Sequence, residues 1–337
     1  MNHSLTLPRR PRGRMSKAGK ANYAKSLAAF CDAIIQIDLS LDFKVGSRGW
    51  CYLLEEYGLD KGDFNAAQKL IADCRKSGEL PLDICAEDGA RGFINLEKLD
   101  VDDPEVKAED LLGYVQSAHA YYQPFSFWDT QDFYVQMMVE KIDLKSLFAP
   151  ICAKYNVALA NARGNCDINA RAEMMRRYAQ NEAAGRQCVL LYAGDHDPAG
   201  LRISDFLEKN LYDLSKAVGW SPDNLIVDRF GLNVDFIQTH GLTWIENLET
   251  GSGGRLESPH HPDHHKAYVQ EYLAQFGARK VEANALVTRP TAGRELCERA
   301  ILQYIDTEGI TAFTARTHEA RNRLADAIAR QLAGYTA

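Results

Sequence analysis

Three apolar runs between residues 133 and 195 alternate with segments of helical pattern, and this alternation restricts the possible folds more than any other feature of the chain. The runs read FYVQMMVE, VALANARGN and CVLLYAGD. The segments SLFAPICAKYN, INARAEMMRRYAQNEAAG and GLRISDFLEKNLYDL follow them in turn. Strands that alternate with helices form parallel βαβ units, in which helices cover both faces of a sheet. The sequence therefore predicts an α/β fold with a parallel sheet.

Acidic residues stand at the ends of two of these runs. Glu140 closes the first run, and Asp195 and Asp197 follow the third run with His196 between them. Because ligands bind outside the carboxyl ends of the strands in such sheets, we expect the three carboxylates at one edge. Carboxylates this close repel each other unless a metal ion or a basic group lies between them, or water surrounds them.

A divalent metal is the interpretation that we favour for this acidic edge. Hard divalent ions prefer oxygen ligands, and Mg²⁺ often shares phosphate oxygens. We therefore predict Mg²⁺, with Mn²⁺ as an alternative, bound by Glu140, Asp195 and Asp197, where it can offset charge in a displacement at phosphorus. His196 is expected to point to the other face. An exposed acidic turn is the alternative interpretation.

Three short segments of helical pattern precede the α/β region. They read YAKSLAAFCDAIIQI, GSRGWCYLLEEYGL and GDFNAAQKLIADCRKSGEL, and the sequence GELPLDICAED follows them. Three helices followed by an extended segment predict a helix-turn-helix with a small wing, which can place one helix in a DNA groove. Lys69, Arg75 and Lys76 on the third helix are then candidate DNA contacts. A three-helix bundle without a role in DNA binding is the alternative.

The charge of the chain is distributed unevenly. The formal net charge of −7 argues against general affinity for nucleic acids. Seven cations nevertheless precede the first acidic residue, Asp32: Arg9, Arg10, Arg12, Arg14, Lys17, Lys20 and Lys25. A basic arm can bind a phosphate backbone through local contacts, and a disordered solubilising tail is the alternative.

Cysteine usage and hydropathy indicate the compartment. The eight cysteines form no CxxC pair, which indicates reduced thiols in a cytoplasm. No apolar stretch is long enough to predict a membrane span, and no secretory signal is recognised. Four histidines between His260 and His265 lack the cysteines or spaced partners of a closed zinc site.

Three blocks of the sequence resemble a TOPRIM domain, and more narrowly the A subunit of topoisomerase VI and the related meiotic double-strand-break proteins. The family's V-E-K sequence is matched at Glu140 and Lys141, and a Gly-containing turn after the second strand is matched at Arg163. The D-x-D-P-x-G sequence is matched from Asp195 and Asp197 onward, and RFGLNVDFIQTHGL and VEANAL resemble later segments. The resemblance covers roughly residues 40–305.

The resemblance also implies a nucleophile. In this family a winged-helix domain carries a catalytic tyrosine with an arginine four residues before it, and Arg48 and Tyr52 match that spacing in SRGWCY. The Tyr52 oxygen would attack a phosphodiester and hold one DNA end covalently, with Arg48 stabilising the phosphate charge. Cys51 stands where the family more often has an aromatic residue. Tyr52 as a core residue is the alternative, and Tyr57 is a less favoured nucleophile.

The implied protein is a Mg²⁺-dependent, DNA-cleaving homodimer in the cytoplasm, associated with the nucleoid. Lys141 and Arg163 are further candidate DNA contacts, and in the family each site joins the tyrosine of one subunit to the metal of the other. Full topoisomerase VI needs a separate ATP-binding subunit, and this chain carries no Gly-rich ATP motif, so the resemblance implies a separate ATPase subunit as a candidate partner. The alternatives are a TOPRIM nuclease that uses a metal-activated water, and a non-catalytic DNA-binding subunit of a defence or chromosome-maintenance complex.

These interpretations divide the chain into four segments. Residues 1–20 are expected to be a basic disordered arm, and residues 21–96 a winged-helix domain. Residues 97–130 are expected to be a linker and a helix. Residues 131–337 are expected to be a TOPRIM domain with a helical C-terminal extension.

Overall fold

The computed structural model describes residues 6–10, 15–86, 97, 103–162, 168–249 and 254–335. Helices α1, α2 and α3 occur where the sequence predicts three helices, and they span Lys17–Asp38, Ser47–Glu55 and Phe64–Ser77. The first begins six residues before the expected start at Tyr23, where Ser16 caps it by accepting a hydrogen bond from the amide of Gly19. The third ends at Gly78, whose φ of +85° favours glycine.

The segment after α3 is where the wing is expected. Short 3₁₀ turns flank α3 at Lys61–Asp63 and Leu82–Ile84. No strand precedes residue 133 in the described part of the chain, and residues 87–96, where the wing would continue, lie outside it. The wing therefore stays a prediction. The predicted linker contains helix α4, Pro104–Ser117, which the Asp103 side chain caps by accepting from the amide of Glu105.

A four-stranded sheet forms the centre of the remaining chain. Its strands lie in the order β2-β1-β3-β4 and all run parallel, which confirms the predicted α/β fold with a parallel sheet. The strands span Phe133–Val139, Ala158–Asn161, Gln187–Ala193 and Ile226–Gly231 for β1 to β4. Within the described residues, five helices lie between the strands: α5 Ile142–Lys154, α6 Ile168–Ala183, α7 Pro198–Leu201, α8 Ile203–Tyr212 and α9 Ser215–Val218. Helix α10, Val234–His240, follows β4.

The C-terminal segment returns to both halves of the molecule. It contains α11 Ala267–Phe276, a 3₁₀ segment at Ala283–Thr288, α12 Pro290–Leu302 and α13 Thr307–Tyr335. The 3₁₀ segment packs against α2 and α5, while α12 packs against α5 and β4. Buried apolar side chains of α1 to α3 and of the sheet belong to one continuous core. The N-terminal helices are therefore held against the sheet.

A buried carboxylate positions α2 on the sheet domain. Asp143 of α5 accepts hydrogen bonds from the amide of Gly46, which caps α2, and from the side chain of Asn284. A Cβ atom at Gly49 would lie 2.6 Å from Asp143 Oδ2, so this close approach requires glycine. Burial raises the pKa of Asp143. Among the described residues, no helix is both long enough and apolar enough to cross a membrane.

Candidate functional site

The carboxyl ends of β1 and β3 bring two of the predicted site residues together. Val139 pairs with Ala193 in the last register position of the two strands, so Glu140 and Asp195 follow neighbouring strand ends. The amide of Glu140 donates to the carbonyl of Ala193 over 3.0 Å, and the amide of Asp195 donates to Glu140 Oε2 over 2.9 Å. The expectation that both residues lie at one edge of the sheet is therefore met.

The positive group between these carboxylates is Lys141. Its Nζ atom lies 2.5 Å from Glu140 Oε1 and 3.0 Å from Asp195 Oδ2. The other oxygen of Asp195, Oδ1, accepts a hydrogen bond of 2.8 Å from the amide of Ala283. We refer to Glu140, Lys141 and Asp195 as the Lys141 cluster. Lys141 is predicted to contact DNA, but here its ammonium group is held by two carboxylates.

The two carboxylates of the Lys141 cluster differ in their proton affinity. Asp195 is only 7% exposed, and burial raises its pKa to about 7 against the opposing charge of Lys141. Burial would also raise the pKa of Glu140, but Lys141 and the hydrogen bonds from Asp195 outweigh it and leave that pKa lowered. Asp195 is therefore the carboxylate of this pair that takes up a proton more readily.

Asp197, the third predicted ligand, has a different local role. Its Oδ1 atom accepts a hydrogen bond of 2.6 Å from the amide of Gly200 and so caps α7. Gly200 is required here, because a Cβ atom would lie 2.1 Å from the carbonyl oxygen of Asp195. Within the described ranges, no three histidine, cysteine, aspartate or glutamate side chains are grouped as metal ligands. Mg²⁺ and Mn²⁺ therefore stay predictions, as does Asp197 as a ligand.

His196 lies in a cluster of aromatic side chains. Its ring contacts those of Trp244, Tyr272 and Phe276, and its Nδ1 atom lies 3.0 Å from the carbonyl oxygen of Leu232. Burial lowers the pKa of His196. The expectation that His196 points to the other face stays a prediction.

A second charged cluster surrounds Glu282, a residue to which the sequence assigns no role. Arg48 binds the Glu282 carboxylate with two nitrogens, Nε at 2.8 Å from Oε2 and Nη2 at 3.2 Å from Oε1. The Tyr52 hydroxyl donates to Glu282 Oε2 over 3.0 Å, and Lys280 Nζ lies 3.8 Å from Oε1. We refer to Arg48, Tyr52, Lys280 and Glu282 as the Glu282 cluster.

The Tyr52 hydroxyl is buried and hydrogen-bonded in this arrangement. Tyr52 is 1% exposed, and burial, followed by the charge of Glu282, raises its pKa far above the usual range. Burial would raise the pKa of Glu282, but Arg48 outweighs it and leaves the pKa lowered. Tyr52 is therefore protonated and Glu282 ionised near neutral pH. Tyr57, the less favoured candidate, is exposed.

One peptide segment joins the two clusters. Glu282 and Ala283 are consecutive, and the Ala283 amide binds Asp195 in the Lys141 cluster. A single hydrogen-bonded network within one chain thus includes residues from α2, from two strand ends and from the C-terminal segment. The only hint of Glu282 in the sequence is the segment VEANAL, since nothing local shows what its carboxylate contacts.

An open groove of about 590 Å³ adjoins the Glu282 cluster. Arg48, Lys280 and Glu282 of this cluster line the groove. The remaining lining residues are Lys61, Gly62, Phe64, Asn65, Gln68, Ile245, Asn247 and Glu249. The groove is polar and carries cations from both halves of the molecule.

The other predicted DNA contacts lie apart from this groove. Lys69 lines a separate shallow pocket together with Arg9 and Arg10 of the N-terminal arm. Arg75 donates to the carbonyl of Leu82 over 2.9 Å and 2.6 Å, and Lys76 lies 3.7 Å from Asp73. Arg163 lies outside the described residues.

No known protein family, curated protein or solved structure matches this chain. The resemblance to the A subunit of topoisomerase VI therefore stays a prediction, and the site must be interpreted from its own geometry.

Proposed function

We propose that this chain cleaves double-stranded DNA in a reaction that depends on Mg²⁺ or Mn²⁺, at the edge where the two clusters meet. The proposal includes the finer fold, a winged helix followed by a TOPRIM domain. One observation supports it most. The arginine–tyrosine pair of α2 and the acidic strand ends, which lie far apart in the sequence, belong to one hydrogen-bonded network.

In this proposal Tyr52 is the nucleophile. Its oxygen forms the new bond to phosphorus, the bond from phosphorus to a deoxyribose oxygen breaks, and that oxygen takes up the proton that the tyrosine loses. Arg48 pairs with the phosphate through its fork of N–H donors. For this to occur, Tyr52 must first exchange its hydrogen bond to Glu282 for a contact with the phosphate.

The donor chemistry of the Lys141 cluster fits a divalent ion. One oxygen each of Glu140 and Asp195 is already oriented by a backbone amide, and the other oxygen binds the Lys141 ammonium. Glu140 and Asp195 would hold the ion after Lys141 moves away, and Asp197 is the proposed third ligand. When bound, such an ion offsets the negative charge of the phosphate.

Hydrolysis is the second candidate, and the burial of Tyr52 favours it. A tyrosine that is 1% exposed and donates to a carboxylate has the properties of a structural residue. In this version a water molecule attacks phosphorus, and Tyr52 and Arg48 only hold Glu282 in place. The two versions leave different products, because hydrolysis releases a free phosphate end whereas tyrosyl attack leaves the protein attached.

The test is a plasmid cleavage assay with Mg²⁺, repeated with a chelator and followed by protease treatment. The proposal predicts cleavage that the chelator abolishes, with DNA ends that become free only after proteolysis. Ends that are free without protease support hydrolysis. DNA binding without cleavage would show that the chain is a binding subunit and would overturn the proposed reaction.

The proposed assembly is a homodimer, because two sites are needed to cut both strands. Tyr52 and Asp195 are linked through Glu282 and Ala283 inside one chain. Each subunit could therefore hold a complete site, in contrast to the shared sites that the resemblance implies. A separate ATPase subunit and a nucleoid location remain part of the proposal.

A further inference from the structure

The Glu282 carboxylate sits in a site whose other members are all donors or cations. Arg48 meets it with two parallel N–H donors, Tyr52 donates its hydroxyl, and Lys280 adds a second positive charge. The planar fork of arginine fits a phosphate as well as it fits a carboxylate. The same donors could therefore bind a phosphate group if Glu282 moved out.

The groove beside this cluster offers space and further positive charge. Lys61 lines it, with Nζ 4.6 Å from the centre of the Tyr52 ring and 3.2 Å from Glu55 Oε2. That ammonium group is buried and pairs with the charge of Glu55, but no contact within reach has good hydrogen-bond geometry. Burial lowers the pKa of Lys61, as expected for an ammonium group that lacks solvation. Asn65 and Gln68 add neutral polar groups to the lining of the groove.

We infer that Arg48, Tyr52 and Lys280 form a binding site for a backbone phosphate of DNA, and that the Glu282 carboxylate occupies this site when DNA is absent. Lys61 is placed to bind a neighbouring phosphate along the groove. The inference rests on the proposed function for its choice of DNA as the ligand, but it does not require cleavage.

An internal anion changes how the site responds to DNA. A phosphate must displace Glu282 from Arg48, so one charged pair replaces another. The net gain in the free energy of DNA binding is therefore small. A protein without this carboxylate would bind the same phosphate more tightly. In the unmodified protein, the displaced Glu282 carboxylate takes up a cation from solution, which reduces the net release of ions when DNA binds. A protein without this carboxylate lacks that uptake, so its DNA affinity would depend more steeply on salt.

The experiment measures binding of a fluorescein-labelled DNA duplex by anisotropy, in EDTA so that no metal-dependent reaction occurs. Glu282→Gln keeps an oxygen acceptor for Arg48 but removes the charge. It should tighten binding by about tenfold, since a competing charged hydrogen bond is lost. It should also steepen the slope of log K against log salt by about one unit. Glu249→Gln, which removes a charge from the same groove without touching Arg48, is the matched control.

A second pair of variants keeps the inference testable if Glu282→Gln folds poorly, which thermal melting would reveal. Lys280→Gln and Lys61→Gln should each make the salt slope shallower by about one unit. Slopes unchanged in both variants, or a Glu282→Gln protein that binds no tighter than Glu249→Gln, would overturn the inference. Glu282 would then be only a structural partner of Arg48.

The binding measurements in EDTA and the cleavage assay with Mg²⁺ can succeed or fail independently. If the variants change binding in EDTA as expected but Mg²⁺ never produces cut plasmid, the phosphate site stands and the proposed reaction fails. If plasmid is cut but Glu282→Gln leaves binding unchanged, the reaction stands and the phosphate site is wrong.

Discussion

The two charged clusters have opposite compositions. In the Lys141 cluster, one ammonium group lies between two carboxylates, whereas in the Glu282 cluster one carboxylate lies among two cations and a hydroxyl. A single amide, that of Ala283, binds Asp195 and joins them. The Lys141 cluster therefore has more negative than positive groups, and the Glu282 cluster has more positive than negative groups. A phosphodiester that arrives with a divalent cation would satisfy both.

The same contrast appears in the proton affinities. Asp195 and Glu282 are both desolvated, and desolvation is the largest influence on each of them. The pKa of Asp195 ends above its ordinary value, because burial raises it and the like charges of Glu140 and Asp197 act in the same direction, against the single opposing charge of Lys141. The pKa of Glu282 ends below its ordinary value, because Arg48 and Lys280 add opposite charge. Burial therefore prevails at Asp195, whereas the neighbouring cations prevail over burial at Glu282.

The largest effect is expected from removing a carboxylate of the Lys141 cluster. Asp195→Asn keeps the shape and the hydrogen bond from Ala283 but removes the charge, so cleavage should fall by at least about 100-fold. Asp213→Asn, an exposed carboxylate on the same domain, is the matched control and should cut normally. Plasmid cleavage with Mg²⁺ measures both. Full activity in Asp195→Asn would mean that the Lys141 cluster is a structural ion pair.

A mixing experiment asks whether both clusters of one site belong to one chain. Tyr52→Phe and Asp195→Asn proteins are each expected to be inactive. Because Tyr52 and Asp195 are linked within one chain, mixing the two proteins should leave cleavage at the level of the separate variants. Recovery of cleavage in the mixture would mean that each site combines Tyr52 of one subunit with the carboxylates of its partner.

The two clusters also differ in how far the sequence predicts them. Glu140 and Asp195 follow neighbouring parallel strands, so the rule that strand ends share an edge places them together. The sequence leaves open a basic group between the carboxylates, but it predicts Lys141 to be a DNA contact. A strand pattern does not show in which direction a long side chain points. The spacing predicts Asp197 as a metal ligand, which stays a prediction, but it does not show that the same side chain caps a helix through Gly200.

The Glu282 cluster depends on packing between segments 230 residues apart, and no periodicity encodes such a contact. It forms because Asp143 holds the start of α2 and Asn284 at the same point. Strand β4 was missed for a different reason. Its sequence IVDRFG contains Asp228 and Arg229, and most of its side chains are only partly buried at the edge of the sheet, so it lacks the apolar run of β1 and β3.

Tyr52→Phe distinguishes a nucleophile from a packing residue. The ring is retained, and only the hydroxyl that donates to Glu282 is lost. The free energy of unfolding should therefore fall by about 1–3 kcal/mol. If Tyr52 attacks DNA, the covalent protein–DNA product should disappear as well. Tyr57→Phe, on an exposed ring just beyond α2, should change neither property. Full-rate cutting by Tyr52→Phe, measured beside a urea unfolding curve, would show that a water molecule is the nucleophile.

The smallest effect is expected in the pH dependence, where Lys141 can be tested without removing a carboxylate. If the reaction needs ionised Asp195, cleavage should rise with pH through about 7. Because the pKa of Asp195 is raised from its ordinary 3.8 to about 7 in the folded state, the stability that its protonation contributes is present at low pH and should be lost as the pH rises from about 4 to about 7. Lys141 opposes this shift. Lys141→Gln should therefore move the midpoint of the pH–rate profile upward, while Lys145→Gln, an exposed lysine on α5, should leave it unchanged. If Lys141→Gln has the same midpoint as the unmodified protein, the titrating group lies outside the Lys141 cluster.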